Sequence, residues 1–197
     1  MKTIIVTGTP GTGKTTLSKN LAERLNFHYL DVNLIIKKYG LSEGYDKKRK
    51  TKIIDVKRLN WALIKEISIC GKKITLTKKP IENNKNKTIK NKKNKIKLQN
   101  IKKGIVIDSH LSHYLPNKYA DLCIVAKCDL RILKQRLKNK NYSKEKAREN
   151  MDAEIFDVCL EEAKENNHKI FIVDTTNGVN LTEISRKIGG LIGFKQG

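Results

Sequence analysis

Residues 8–15 read Gly-Thr-Pro-Gly-Thr-Gly-Lys-Thr and fill every fixed position of the pattern G-x-x-x-x-G-K-[ST]. Glycines at these positions let a backbone wrap an anion with its N–H groups turned inward, and a following helix N-terminus adds a positive dipole. A lysine placed as Lys14 is reaches the β- and γ-phosphates of a nucleoside triphosphate, and a hydroxyl placed as Thr15 ligates Mg²⁺. The motif therefore assigns nucleotide binding to Gly11, Thr12, Gly13, Lys14, Thr15 and Thr16, with Lys14 touching the transferring phosphoryl group. Such chemistry also needs a metal-holding carboxylate. Gly104-Ile-Val-Ile-Asp108 supplies one, as an apolar run that ends in an acid. Asp108 is expected to hold Mg²⁺ beside Thr15, through a water molecule. His110 lies two residues further on, where a turn can aim it at the same cleft to orient water or relay a proton. A zinc reading of His110-x-x-His113 lacks further ligands at close spacing.

These side chains need a scaffold of strands and helices. Lys2–Thr7 is β-branched and apolar, and Thr16–Leu25 has apolar residues at helical spacing, so the motif sits between a strand and a helix. Phe27–Val32 reads as a second strand and Asn33–Tyr39 as a short helix. Gly40–Asp46 is rich in turn formers, and Asp55 is placed to cap a helix to about Ile67. Gly104–Asp108, Leu122–Ala126 and Lys169–Val173 read as buried strands. Leu130–Leu137, a long run from Ser143 through Glu165, and Leu181–Leu191 read as helices. Five strands alternating with helices predict an α/β fold, a five-stranded parallel sheet covered on both faces. Its ligand belongs at the carboxyl ends of the strands.

The chain has 197 residues, enough for one such domain, and no apolar stretch long enough to span a bilayer. The four cysteines form no C-x-x-C pair, which points to a reducing, intracellular setting with Cys123 and Cys159 as core thiols. Formal net charge is +22. Residues 68–103 hold thirteen lysines and one glutamate, contributing +12 and leaving +10 for the rest. Within them, Asn83–Asn100 is almost wholly Lys, Asn and Ile, low-complexity sequence expected to be a disordered loop. Two origins are open for it: codon drift in an AT-rich genome, or an arm selected for binding nucleic acid or for nuclear import.

In combination, Thr7–Thr16, Glu43-Gly-Tyr-Asp46, Asp108-x-His110, Tyr142 and Glu149-Asn150…Glu154-Ile-Phe156 resemble the nuclear adenylate kinases of the isoenzyme 6 family. That family has a second identity as an ATPase in assembly of the small ribosomal subunit. The resemblance runs from residue 2 to about 176, broken by the insert at about 68–103. It implies a single P-loop kinase domain over residues 1–197, with an acceptor-binding region at about 33–67 and a short lid at about 139–148. It implies that Arg136 stacks on the donor adenine, that residues 174–177 touch the other face by backbone, and that Asp108 and His110 handle Mg²⁺ and water. The partners it implies are ATP, AMP, a small-subunit ribosomal protein and pre-ribosomal RNA, in nucleus and cytoplasm. No membrane is implied, and nothing requires more than a monomer.

The chain departs from that family in three places. Asn33-Leu-Ile-Ile-Lys37 replaces Gly-Asp-Leu-x-Arg, so a planar fork for the acceptor phosphate becomes a point charge. Lys140 stands where an arginine is common in the lid, and Lys47–Lys50 replaces an acidic stretch. The expected activity is transfer of the ATP γ-phosphoryl to AMP or a close analogue, together with ATP hydrolysis. Two alternatives stand beside it: an ATPase assembly factor with little transfer, and a small-metabolite kinase on the same core.

Overall fold

A computed structural model describes residues 1–47, 51–77 and 102–194, with no side-chain detail for 73–77. The greater part of the Lys/Asn-rich insert, and residues 48–50 of the basic run, lie outside the described residues. The expected sheet is present. Strands β1 (Lys2–Thr7), β2 (His28–Asp31), β5 (Gly104–Asp108), β6 (Leu122–Lys127) and β7 (Ile170–Asp174) pair in the order β2-β5-β1-β6-β7, all parallel.

Alternation along the strands splits the core in two. Ile4, Val6, Val106 and Ile124 face helices α1 (Lys14–Arg24) and α7 (Leu181–Ile192). Ile5, Ile105, Ile107 and Val125 face α2 (Val32–Tyr39), α3 (Val56–Thr77) and α6 (Val158–Glu165). Both layers are tight. At Gly104 a Cβ would come within 2.5 Å of the Lys2 carbonyl and of the Phe27 ring, so only glycine lets β5 start beside β1.

Three elements differ from expectation. The turn-rich Gly40–Asp46 segment carries β3 (Ser42–Asp46), which pairs antiparallel with β4 (Thr51–Ile54) in a separate hairpin. Asp55 does cap α3, accepting from Lys57 N–H at 2.7 Å, but the helix continues ten residues past Ile67. Ile67 and Cys70, one turn apart, still pack on the core, so the amphipathic face extends into the start of the insert. Third, the long run from Ser143 is two helices, α5 (Lys144–Ile155) and α6. Asp157 adopts a left-handed conformation, φ 54°, between them, and its carboxylate pairs with Lys127. Asp tolerates that conformation better than most residues, so the break needs no glycine. Helix α4 (Leu130–Asn139) precedes α5, and a small apolar cluster of Leu133, Leu137, Tyr142 and Met151 joins the two.

Candidate active site

The loop between β1 and α1 lies at the carboxyl edge of the sheet. Gly8, Gly11 and Gly13 take φ of 135°, 99° and 89°. A Cβ on Gly8 would stand 2.4 Å from the Ala126 carbonyl, and one on Gly11 2.8 Å from Leu133. The glycines therefore serve both the bend and the close approach of the neighbouring strand and helix. Thr12 Oγ1 donates to the Thr9 carbonyl at 2.9 Å, which tightens the bend from inside.

Lys14 is 9% exposed and its Nζ donates to the Thr9 carbonyl at 3.0 Å, across the loop. Burial lowers its pKa to about 8, with Lys140 adding to the lowering, while Cys159, Asp108 and Glu154 oppose it. A lysine held in so dry a cradle gains strongly from an anion. Thr15 and Thr16 open to solvent at the first turn of α1.

Asp108 ends β5, level with Val6 of β1 and Asp31 of β2. It is 4% exposed and accepts from the Tyr29 hydroxyl at 3.0 Å. Burial and the Asp108 carboxylate together push the Tyr29 phenol above its ordinary range, so it remains a donor. Thr15 and Asp108 offer the hard oxygens that Mg²⁺ takes. His110 opens to solvent in the cleft, yet protein crowds it. That desolvation first, then the charges of Lys14, His113 and Lys146, lower its pKa to about 4. Its imidazole is neutral near pH 7, the form that accepts a proton.

Beside the loop, a cavity of about 390 Å³ is lined by Gly13, Thr16, Leu17, Arg136, Lys140 and Thr175 among others. Arg136 lies at its wall with the guanidinium fixed. Nη2 donates to the Thr175 and Thr176 carbonyls at 2.8 and 3.1 Å, and Nη1 to Cys128 Sγ at 3.3 Å. Thr175 in turn donates its hydroxyl to the Thr12 carbonyl and its N–H to that of Lys127, and so ties the loop after β7 to the phosphate loop.

The structure adds a residue that sequence reasoning left out of the site. Glu154, buried in the last turn of α5, accepts from the Thr9 hydroxyl at 2.6 Å and from Cys128 N–H at 3.0 Å. It clamps the phosphate loop to the end of β6. Its presence in the Glu154-Ile-Phe156 motif was the available signal. Among the cysteines, Cys123 is a core thiol, with burial pushing its pKa up to about 12. Cys159 is not: it is half-buried and faces polar groups.

Comparison with known proteins fits this geometry. A family model described as an AAA domain matches residues 4–157. A Thermococcus kodakarensis protein named "Putative adenylate kinase" is 34% identical over 190 residues, covering 96% of this chain and 84% of that protein. This chain belongs to the same P-loop kinase family. A Dictyostelium discoideum protein named adenylate kinase isoenzyme 6 homolog is 30% identical over 170 residues, covering 86% of this chain and 78% of that one. Among solved structures, a Janibacter sugar kinase superposes with TM-score 0.52 at 11% identity, covering 98% of this chain and 95% of that one. That likeness concerns the fold. Family membership thus rests on the sequence relatives and on the phosphate loop that begins at Gly8.

Proposed function

We propose that this P-loop kinase is an adenylate-kinase-type nucleoside monophosphate kinase that moves the γ-phosphoryl of ATP to AMP or a close analogue. The observation that carries the reading is the continuity of the Lys14 cradle with the adjoining cavity. Phosphates on the loop N–H groups would place a ribose and base against Thr175 and Arg136, where a planar guanidinium can stack on a purine. Thr15 and Asp108 would hold Mg²⁺, which when bound neutralises phosphate charge and orients the γ-phosphoryl. Lys14 then draws charge off the transferring group in a dry site, where such contacts are worth most. The neutral His110 would orient the attacking group or take its proton. Helices α2 and α3 with the β3–β4 hairpin form the acceptor side in this reading, and the α4–α5 turn is the lid that excludes water. The relatives' names support the substrate pair.

A second reading, ATP hydrolysis coupled to small-subunit assembly through a ribosomal protein and pre-ribosomal RNA, is favoured by one feature of the acceptor side. Lys37 is an exposed point cation where a phosphate fork is expected, and the next cation, Lys38, is engaged with Glu66 at 2.5 Å. That reading carries the nuclear and cytoplasmic location with it. A coupled assay with AMP, CMP and no acceptor decides. The kinase reading expects ADP formation to rise at least about tenfold with AMP. Release of ADP that neither nucleotide accelerates would leave hydrolysis as the activity.

A further inference from the structure

On the sheet face covered by α6, three side chains of ligand type converge that the phosphoryl-transfer reading leaves unused. His113 comes from the turn Ser112–Tyr114 that follows β5. Cys159 and Glu162 lie three residues apart on α6, hence on one face of that helix. Their ligand atoms all lie within 4.8 Å of one another. His113 Nε2 stands 2.9 Å from Glu162 Oε2.

The outer contacts fix the directions of these groups. His113 is 1% exposed, and its Nδ1 lies 2.7 Å from Thr7 Oγ1. That contact is a buried hydrogen bond which fixes the ring and leaves its other nitrogen, Nε2, for a further partner. With the proton on Nδ1, where Thr7 can accept it, Nε2 is a free acceptor. It is fully buried, with no hydrogen bond of proper geometry, and is aimed into the trio. In that tautomer Nε2 and the carboxylate oxygen are two acceptors facing each other, and a cation bound to both reconciles them. Histidines that ligate metals are held by their second nitrogen in this way. Glu162 is also braced from outside, its Oε1 accepting from the Tyr114 hydroxyl at 2.7 Å.

We propose that His113, Cys159 and Glu162 form a Zn²⁺ site behind the phosphate loop, with water as the fourth ligand. One sulfur, one imidazole nitrogen and one carboxylate oxygen are donors that Zn²⁺ combines readily. Bonds of about 2.0–2.3 Å place tetrahedral ligands about 3.3–3.8 Å apart, so the His113–Glu162 pair, at 2.9 Å, opens by about 0.5 Å while the pairs with Cys159, now within 4.8 Å, close by about 1.5 Å at most. The Glu162 side chain is 31% exposed, which gives the ion a way in. Binding would take the proton from the Cys159 thiol, so affinity rises with pH. The same ion would pin α6 to Thr7, the last residue of β1 before the phosphate loop.

The test uses the full chain, freed of metal with a chelator and kept reduced. Co²⁺ serves as the spectroscopic probe, and Zn²⁺ is measured by competition with a chromophoric chelator. One equivalent of Co²⁺ should give tetrahedral visible bands and a near-ultraviolet thiolate band, displaced by Zn²⁺ and indifferent to Mg·ATP. Cys159→Ser should abolish the thiolate band, and Glu162→Gln should weaken Zn²⁺ binding at least about tenfold, while Cys70→Ser leaves both unchanged. Both ligand variants alter half-buried positions, and circular dichroism checks their fold. A wild-type spectrum without the thiolate band, or a band that survives Cys159→Ser, would show the trio to be a hydrogen-bonded His–Glu pair beside a spectator thiol.

Discussion

Thr9 in the phosphate loop and Glu154 at the end of α5 share a buried hydrogen bond of 2.6 Å across 145 residues of sequence. The same carboxylate accepts Cys128 N–H with its other oxygen. The shape of the loop thus depends on a helix far along the chain. Glu154→Ala strands two buried donors, at a cost of about 2–4 kcal/mol. For a chain of this size that is roughly 5–15 °C in Tm. We expect ATP affinity to fall in the same variant at a temperature where it remains folded. A normal Tm with normal affinity would show the clamp to be idle.

The lowered pKa of Lys14 gives the site a pH signature. In the unliganded protein Lys14 loses its proton near pH 8, whereas bound phosphates hold that proton on. ATP affinity should therefore decline above pH 8, by up to about tenfold per pH unit. Stability moves the other way. Between about 8 and the ordinary lysine value of 10.5 the unfolded chain binds a proton that the folded one has released, so this group adds stability as pH rises through that window. Titration calorimetry across pH 7–10 checks the first point. Lys14→Met should bind ATP weakly and without that pH dependence, with turnover lower by about two orders of magnitude or more.

Asp108 and His110 should separate by function. Asp108→Asn keeps an acceptor for Tyr29 but loses the charge, so activity should require more Mg²⁺ and fall by about a hundredfold. His110→Ala should lower turnover while leaving the ATP dissociation constant within about twofold. Equal loss of ATP binding in both variants would make His110 a structural residue.

The parts of the site that were legible in sequence are those with local determinants. The glycine spacing, the strand before it and the helix after it lie within 25 residues, and Asp108 closes a run that only a buried strand explains. What escaped depends on distant or exposed residues. Glu154 stands in the Glu154-Ile-Phe156 motif, but nothing local pairs it with Thr9, 145 residues away, until the fold does. The His110-x-x-His113 pair suggested zinc and then lacked ligands. The fold brings Cys159 and Glu162 to His113 from 46 and 49 residues downstream, and leaves His110 exposed and outside that group. The β3–β4 hairpin escaped because no residue of either strand is buried, so no alternation marks it. The break at Asp157 is held by a carboxylate–Lys127 pair, a tertiary contact with no local signature.

The course of α3 to Thr77 redraws the insert. Residues 68–77 belong to a helix whose Ile67 and Cys70 pack on the core, so a deletion that spares the helix begins after Thr77. Replacing residues 78–101 by a short glycine linker should preserve fold and ATPase activity, because loop closure depends only weakly on length. A deletion from residue 72 shortens α3 by six residues and should lower Tm. The 78–101 deletion also tests the charge. It removes nine lysines and one glutamate, and these residues contain no aromatic side chain on which a base could stack. If the insert binds RNA, it does so through phosphates, and each contact adds about 0.7 to the salt slope on a single strand. Labelled single-stranded RNA titrated at two salt concentrations should bind the full chain tightly at low salt and weakly at high salt. The shortened chain should show a flatter slope. Binding that is undetectable at low salt, or identical in the two proteins, would assign the lysines to codon drift and leave the P-loop kinase reading as it stands.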